Sequence, residues 1–372
     1  MGCNQIAISS VFATVRGDME QEALEILTKE MPDLSITLSK SIGGMGLLER
    51  ENAAIINASL RPLAAEVIDS FKLLQKSLDL SCPMFFTRND GTLIEAKEVV
   101  ELAVLTFACG PTNSMRGAAF LSGLQDALVV DVGGTTTDVG EVKDGFPRLA
   151  GTSVMVADVR TNFAMPDVIS IGLGGGSIVA TKEPMAIGPV SVGHELLQKA
   201  TVFGGDTLTA TDLAVAAGRC EVGSNNPPSI SSIDKLIEIL DKMVSDQVAR
   251  ARTSNKAIPV IAVGGGSVMM PNEIDGLEVI TPKHNDLANA VGAAIAQVSG
   301  QVSRVILLND EIDRDIAIKD VTEEATRIAV KRHADPNSIS VLTLSDMPLS
   351  YLPGNNLLIN VTVVGDLLME EL

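Results

Sequence analysis

Residues 131–138 read Asp-Val-Gly-Gly-Thr-Thr-Thr-Asp and follow directly on the apolar run Leu128-Val129-Val130. An ordinary hairpin turn needs little more than an Asn-Gly or Asp-Gly pair. Three hydroxyls and two carboxylates in so short a span therefore ask for a chemical reason. Gly133 and Gly134 let the backbone approach an anion with no Cβ in the way. Their amides, with those of Thr135 and Thr136, can form an anion-binding nest. The hydroxyls of Thr135, Thr136 and Thr137 can add donors to phosphate oxygens, and Asp131 and Asp138 are oxygen ligands of the kind Mg²⁺ takes, usually through water. The loop suits a polyphosphate with its metal. The competing reading is a tight hairpin whose threonines bond their own backbone.

A second apolar run ends in a glycine loop at 260–270, Val-Ile-Ala-Val-Gly-Gly-Gly-Ser-Val-Met-Met. Gly264, Gly265 and Gly266 allow a flat base or sugar to lie against the backbone. Ser267 can bond a ribose or a ring nitrogen. A third loop, Gly-Leu-Gly-Gly-Gly-Ser at 172–177, carries Ser177 where the dinucleotide fingerprint has its last glycine, and no GxxxxGK[ST] occurs.

These loops need strands to carry them and helices to back them. Strands are expected at 5–15, 127–133, 137–143, 148–156 and 258–263, and helices at 18–32, 110–123, 206–217, 231–252, 285–300 and 315–332. Residues 47–80 read as helical, with Pro62 as a kink or a break. Hairpin turns fall at Asn89-Asp90-Gly91 and Asp144-Gly145. Strands return near 338–344 and 357–364, and 224–232 is the clearest loop. Antiparallel hairpins feeding glycine loops make an α/β protein.

The chain has 372 residues, enough for two domains, and 46% of them are hydrophobic. A net charge of −19 argues against nucleic-acid backbone as a partner, while leaving room for a local nucleotide site. Cys3, Cys82, Cys109 and Cys220 form no CxxC, and with only three histidines they indicate no zinc site; reduced, mostly buried thiols in a cytoplasmic protein are expected. No apolar run reaches the ~18 residues of a membrane helix, so no membrane is expected as a partner. No signal peptide is visible. Met1-Gly2-Cys3 hints at acylation, but Ile6 stands where that pattern wants Ser or Thr.

The order small-residue helix, DxGGTxxD hairpin, long insert, strand with GGGS, small-residue helix resembles the superfamily of actin, sugar kinase and heat-shock chaperone ATPases. The resemblance implies an actin-like (ribonuclease H-like) α/β fold with two lobes. Residues 110–123 and 285–300 become connecting helices, 128–142 a phosphate hairpin and 258–270 an adenosine loop. Within that superfamily, GLLERENAAIINASLRPL, NDGTL, GPTNSMRGAAFLSGL, VVDVGGTTTDVG, VRTNFAMPDVISIGLGGGS, VFGGDTLTATDLAVAAG and YLPGN resemble the hydantoinase/oxoprolinase family, specifically its ATP-using A-type subunit.

That resemblance implies ATP-dependent opening of a cyclic amide such as hydantoin or 5-oxoproline, by phosphorylation of the amide oxygen and attack of water, shared with a B-type partner subunit or domain. Carried over residue by residue, Asp131 organises Mg²⁺, with Asp138 as a second metal or hairpin-closing carboxylate. Gly133, Gly134, Thr135 and Thr136 hold the β- and γ-phosphates, with Asp131, Thr135 and Thr136 as the catalytic set. Gly264, Gly265, Gly266 and Ser267 hold adenosine. Arg160, Asn162 and Asp167 either line the cleft or anchor a loop, and His194 and His284 read as surface or packing residues. No general base can be named.

The expected division is 1–125 for the remainder of lobe I, 126–300 for lobe II and 301–372 for a C-terminal α/β subdomain. The family opens with a further phosphate hairpin, and nothing in residues 1–110 resembles it. The expectation is a lobe I shortened at its N-terminus. It leaves open the alternative of a non-catalytic nucleotide-binding or interaction module.

Overall fold

Period-two alternation in the strand Ala127–Val132 sets the frame for the glycine loops. Leu128, Val130 and Val132 face one way and Ala127 and Val129 the other, and all five are buried. Apolar residues on both sides require a layer on each face. The computed structural model describes residues 4–151, 153–223, 229–309, 311–350 and 353–368. Met1-Gly2-Cys3, most of the loop expected at 224–232, and the Tyr351-Leu352 start of the YLPGN motif lie outside the described residues.

The chain forms two units: one from Met1–Ala108, Gly151–Met165 and Ala296–Leu372, the other from Cys109–Ala150 and Pro166–Ile295. The second unit carries all three glycine loops. Its mixed sheet runs in the order Val168–Ile171, Thr137–Lys143, Ala127–Val132, Val260–Val263, Leu277–Ile280, Glu273–Ile274. Ala127–Val132 is antiparallel to Thr137–Lys143 and parallel to Val260–Val263. On one face lies the helix Ile233–Ala251, whose Leu236, Leu240, Val244 and Val248 recur every fourth residue and are fully buried against Leu128, Val130 and Val132. Each such side chain contributes about 1.5–3 kcal/mol by leaving water. Helix Ala210–Ala216 joins this layer. It starts at a capping box in which Thr209 and Asp212 satisfy each other's backbone amides.

The opposite face is covered by two helices of small residues, Cys109–Ser122 and Ala288–Ala294. Their backbones touch. A Cβ placed on Gly117 would stand 1.8 Å from the Ala288 carbonyl oxygen, and one on Gly292 would stand 1.9 Å from that of Asn113. The helix expected over 285–300 is thus much shorter, because Gln297–Leu307 is a strand. From Val298 to Leu307 it pairs with Asn356–Gly365, and Gly300 lies against the Ala325 carbonyl. Small residues alone do not distinguish a helix from a strand in close contact.

The first unit holds a sheet in the order Ser340–Pro348, Asn356–Gly365, Gln297–Leu307, Thr92–Glu95, Phe85–Thr87. Helix Arg314–Lys331 packs Ala317, Val321, Ala325 and Ala329 onto it. Leu47–Ser77 is one helix through Pro62, without the expected break. Pro62 is exposed and removes a single backbone bond, while buried residues on both sides, among them Ala54, Ala58 and Ile68, hold the helix in place. The strand expected at 5–15 stops at Ile8, where the chain turns. The thiols depart from expectation: Cys82 is exposed and Cys109 and Cys220 are half-buried, all three free.

The backbone contact between the two small-residue helices gives a direct test. Gly117→Ala and Gly292→Ala should each cost about 1–3 kcal/mol in urea unfolding, since a backbone oxygen cannot swing aside. Gly110→Ala, which meets nothing within 4 Å, should be neutral to slightly stabilising.

Candidate functional site

The same alternation that buries Val129 turns Asp131 toward the helix Cys109–Ser122, at the end of its strand. Strand register then builds a row: Asp131 is paired with Asp138, and Asp138 with Ser170. Directly opposed residues share a face of the sheet, so two carboxylates stand side by side. Ser114, on the covering helix, is near enough to Asp131 to lower its pKa, and the Ser170 hydroxyl donates to Asp138 Oδ1.

Both carboxyls titrate above the ordinary carboxylate range. Burial is the largest cause for each, and the charge of Asp138 raises Asp131 further, while the serine hydroxyls pull in the other direction. Among the described residues no cationic side chain contributes to either shift. A like-charged, part-buried pair is what a divalent ion would relieve. Among the described residues no three His, Cys, Asp or Glu side chains cluster to hold a metal. An ion at Asp131 and Asp138 would therefore complete its shell with water and ligand oxygens, the habit of Mg²⁺.

The three glycine loops converge on residues 132–136. The Val132 carbonyl accepts from Gly266 N at 2.8 Å, the Gly133 carbonyl from Gly175 N at 3.0 Å, and the Gly134 carbonyl from Gly176 N at 2.8 Å. A planar trans peptide points its N–H away from its C=O. Tying down the carbonyls of 133 and 134 therefore turns the amides of Gly134 and Thr135 outward. Gly133 N closes the turn onto the Thr136 carbonyl at 2.9 Å. The amides of Gly134, Thr135 and Thr136 have no protein acceptor among the described residues, and the side chains of Thr135 and Thr136 are exposed. Thr137 differs: it is buried and its hydroxyl donates to the Leu173 carbonyl at 2.6 Å, which holds the hairpin to the 172–177 loop.

Only glycine fits this contact. A Cβ on Gly174 would lie 2.5 Å from Gly134 C and Thr135 N, and one on Gly264 would lie 2.4 Å from Asp131 Oδ1. Gly264 also takes φ +84°. A Cβ on Gly265 would meet nothing within 4 Å, so that glycine faces open space. Ser267 is buried, with its hydroxyl bonded by Asn285 Nδ2, and Gly264 N donates to the Asn285 carbonyl at 3.0 Å. Asp131, Gly133, Gly134, Thr135, Thr136, Asp138, Gly264 and Gly266 are thus gathered around one loop, with Thr137 and Ser267 committed to its support.

Other residues singled out from sequence stand elsewhere. Arg160 pairs with Glu49 at 3.8 Å, and Asn162 donates to the carbonyls of Gly44 and Met45, both within the first unit. Asp167, in the second unit, pairs with Arg148 at 2.7 Å. All three anchor loops. His194 and His284 are exposed. Sequence reasoning missed Ser114, Ser170 and the 172–177 loop. The glycine triplet in that loop was visible, but it was compared with a dinucleotide fingerprint rather than read as a support.

The carboxylate pair gives a prediction for the metal-free protein. An acid raised in the folded state stabilises the fold fully below its unfolded pKa, and that contribution fades as the pH rises through the folded value. At neutral pH the ionised pair is therefore a cost. Asp131→Asn should raise the thermal midpoint in EDTA at pH 7, and the advantage should shrink as the pH falls into the carboxylate range.

Comparison with known proteins places this geometry. The family model for Hydantoinase/oxoprolinase matches residues 50–224. The chain is similar to caprolactamase subunit alpha of Pseudomonas jessenii, 25% identical over 219 residues, a match that takes in 57% of this chain and 31% of that subunit. It therefore spans about a third of the length of that curated relative. The crystal structure of ATP-dependent caprolactamase from Pseudomonas jessenii shares the fold with a TM-score of 0.71 at 17% identity, over 96% of this chain and 64% of that one. Nucleotide-free acetone carboxylase, from work on ATP-dependent acetone carboxylation, matches with a TM-score of 0.65 at 15% identity, over 98% and 65% of the two chains. The fold is mixed α/β, in keeping with the actin-like arrangement expected from the motif order. Residues 50–224 thus carry a Hydantoinase/oxoprolinase domain.

Proposed function

We propose that the second unit binds Mg-ATP and that the chain serves in the ATP-dependent ring opening of a cyclic amide such as a hydantoin or 5-oxoproline. One observation carries the nucleotide part: among the described residues three successive amides, of Gly134, Thr135 and Thr136, find no acceptor, and they stand beside a pair of part-buried carboxylates. Outward amides suit phosphate oxygens, and the pair suits the magnesium that accompanies them. The Hydantoinase/oxoprolinase domain supports the cyclic amide. The similarity to an ATP-dependent caprolactamase and to its subunit alpha supports both the nucleotide and a partner subunit.

In this reading the amides of 134–136 and the hydroxyls of Thr135 and Thr136 orient the terminal phosphates. Asp131 and Asp138 hold the metal, directly or through water. Gly264, Gly265 and Gly266 leave a flat backbone surface for the nucleoside, and Ser267 keeps that loop closed through Asn285. Bound Mg-ATP would supply phosphorylation of the amide oxygen, which makes the ring carbonyl electrophilic toward water. A B-type partner would share the ring opening. Among the described residues no helix is long and apolar enough to cross a membrane, which accords with a small-molecule reaction in the cytoplasm.

Calorimetry of Mg-ATP binding to the purified chain tests the proposal. Asp131→Ala and Thr135→Val should each weaken binding, by about 10-fold for the carboxylate and less for the hydroxyl. ADP release on addition of hydantoin, 5-oxoproline or caprolactam, with a partner subunit present, would identify the amide. Binding with no turnover under any of these conditions would favour a nucleotide-binding module instead. A folded chain that binds no nucleotide would sink the reading.

A further inference from the structure

We propose that Ser191 is a positioning residue for the anion site, whose hydroxyl fixes the peptide plane that presents the Thr135 amide. The inference rests on the nucleotide reading above and deepens it. Ser191 ends the strand Ala186–Ser191 and lies opposite Ser177, the last residue of the 172–177 loop. The Gly193 amide donates to Ser191 Oγ at 3.0 Å, and Ser191 Oγ donates to the Gly134 carbonyl at 3.2 Å. Chemistry sets the direction of both bonds. An amide N–H can only donate and a carbonyl can only accept, so the one proton of the hydroxyl goes to Gly134. That carbonyl also accepts from Gly176 N at 2.8 Å, and two donors occupy its two lone pairs. The peptide joining Gly134 to Thr135 is thus held at its oxygen from two sides, and a planar trans peptide sends the Thr135 N–H the opposite way. Thr135 is the middle of the three amides that find no acceptor among the described residues.

The surrounding backbone lets this hydroxyl reach its carbonyl. A Cβ on Gly176 would stand 2.8 Å from Ser191 Oγ and 3.0 Å from the Gly134 oxygen, so glycine there leaves room for the bond. Val192 N donates to the Gly176 carbonyl at 2.9 Å, and Val192 is itself buried, which pins the segment after Ser191 to the same loop. Gly193 takes φ +58°, a left-handed conformation in which its amide meets the hydroxyl. A Cβ there would stand 3.9 Å from Thr135 Cγ2, so the 191–193 segment borders the anion site beside Thr135. Ser191 touches no phosphate in this assignment. It removes freedom from the donor that does, and that freedom would otherwise be lost on binding.

Two measurements on the purified chain test the assignment. Hydrogen exchange of the ligand-free protein reads the bonds themselves. Ser191→Ala should speed exchange of the Gly193 amide at least about 5-fold and leave the Val192 amide within about 2-fold. An unchanged Gly193 amide would overturn the chain of bonds. Equal acceleration at Val192 would show the whole segment loosening, and would overturn a role confined to the Gly134 peptide. Calorimetry then compares Mg-ATP with Mg-tripolyphosphate, which has the phosphates and no nucleoside. Ser191→Ala should weaken both alike, each about 5-fold. Affinities within about 2-fold of wild type, or a loss confined to Mg-ATP, would reduce Ser191 to a hairpin residue. A wild-type chain that binds neither ligand while the Gly193 amide responds as expected would overturn the nucleotide reading, and with it the role of Ser191 toward phosphate.

Discussion

Everything at the site depends on the capture of three successive backbone carbonyls by glycine amides. The carbonyls of Val132, Gly133 and Gly134 are each tied by a glycine from another loop. An isolated glycine-rich turn would sample many orientations of its peptide planes, and its amides would face water in no fixed direction. Here two other loops remove that freedom from the rear, and the amides on the front are oriented before any ligand arrives. Ordering entropy that a flexible loop would lose on binding is lost during folding instead. The glycines of 172–177 and 264–266 thus serve the site without offering it a functional group.

The electrostatics follow the same division. A chain with a net charge of −19 does not collect anions through basic side chains. In the proposed site, attraction for phosphate at residues 134–136 would come from backbone dipoles. The nearby carboxylates add repulsion that only a cation removes. Nucleotide and metal are then expected to bind as a unit, because each supplies charge that the other lacks. The Ser170 hydroxyl steadies Asp138 without neutralising it.

Much of this was legible in sequence, for a physical reason. The residue types of the 131–138 hairpin do similar chemistry wherever they stand, and a strand that ends in Gly-Gly declares its own turn. Helices with strong periodicity, such as Ile233–Ala251 and Arg314–Lys331, were readable to within a residue or two. The 285–300 segment was misread because Ala, Gly and Val suit a close-packed helix and a close-packed strand alike. The decisive partner of its second half, Asn356–Gly365, lies far along the chain. Ser114 and Ser170 were invisible for a similar reason: helix crossing and strand register bring them to the carboxylates, and neither is written in local spacing.

The chain's path through its two units has a consequence for how it forms. The first unit is assembled from three separate segments and the second from two. Strand Thr92–Glu95 pairs with the start of Gln297–Leu307, and that strand pairs with Asn356–Gly365. The first unit's sheet therefore cannot close until Asn356–Gly365 has been made, whereas the segments of the unit carrying the glycine loops end at Ile295. Long-range pairing of this kind is slow, and its unpaired strands are exposed in the meantime. During synthesis the half that carries the glycine loops can fold first, and the early strands of the other half wait for a partner about two hundred residues downstream.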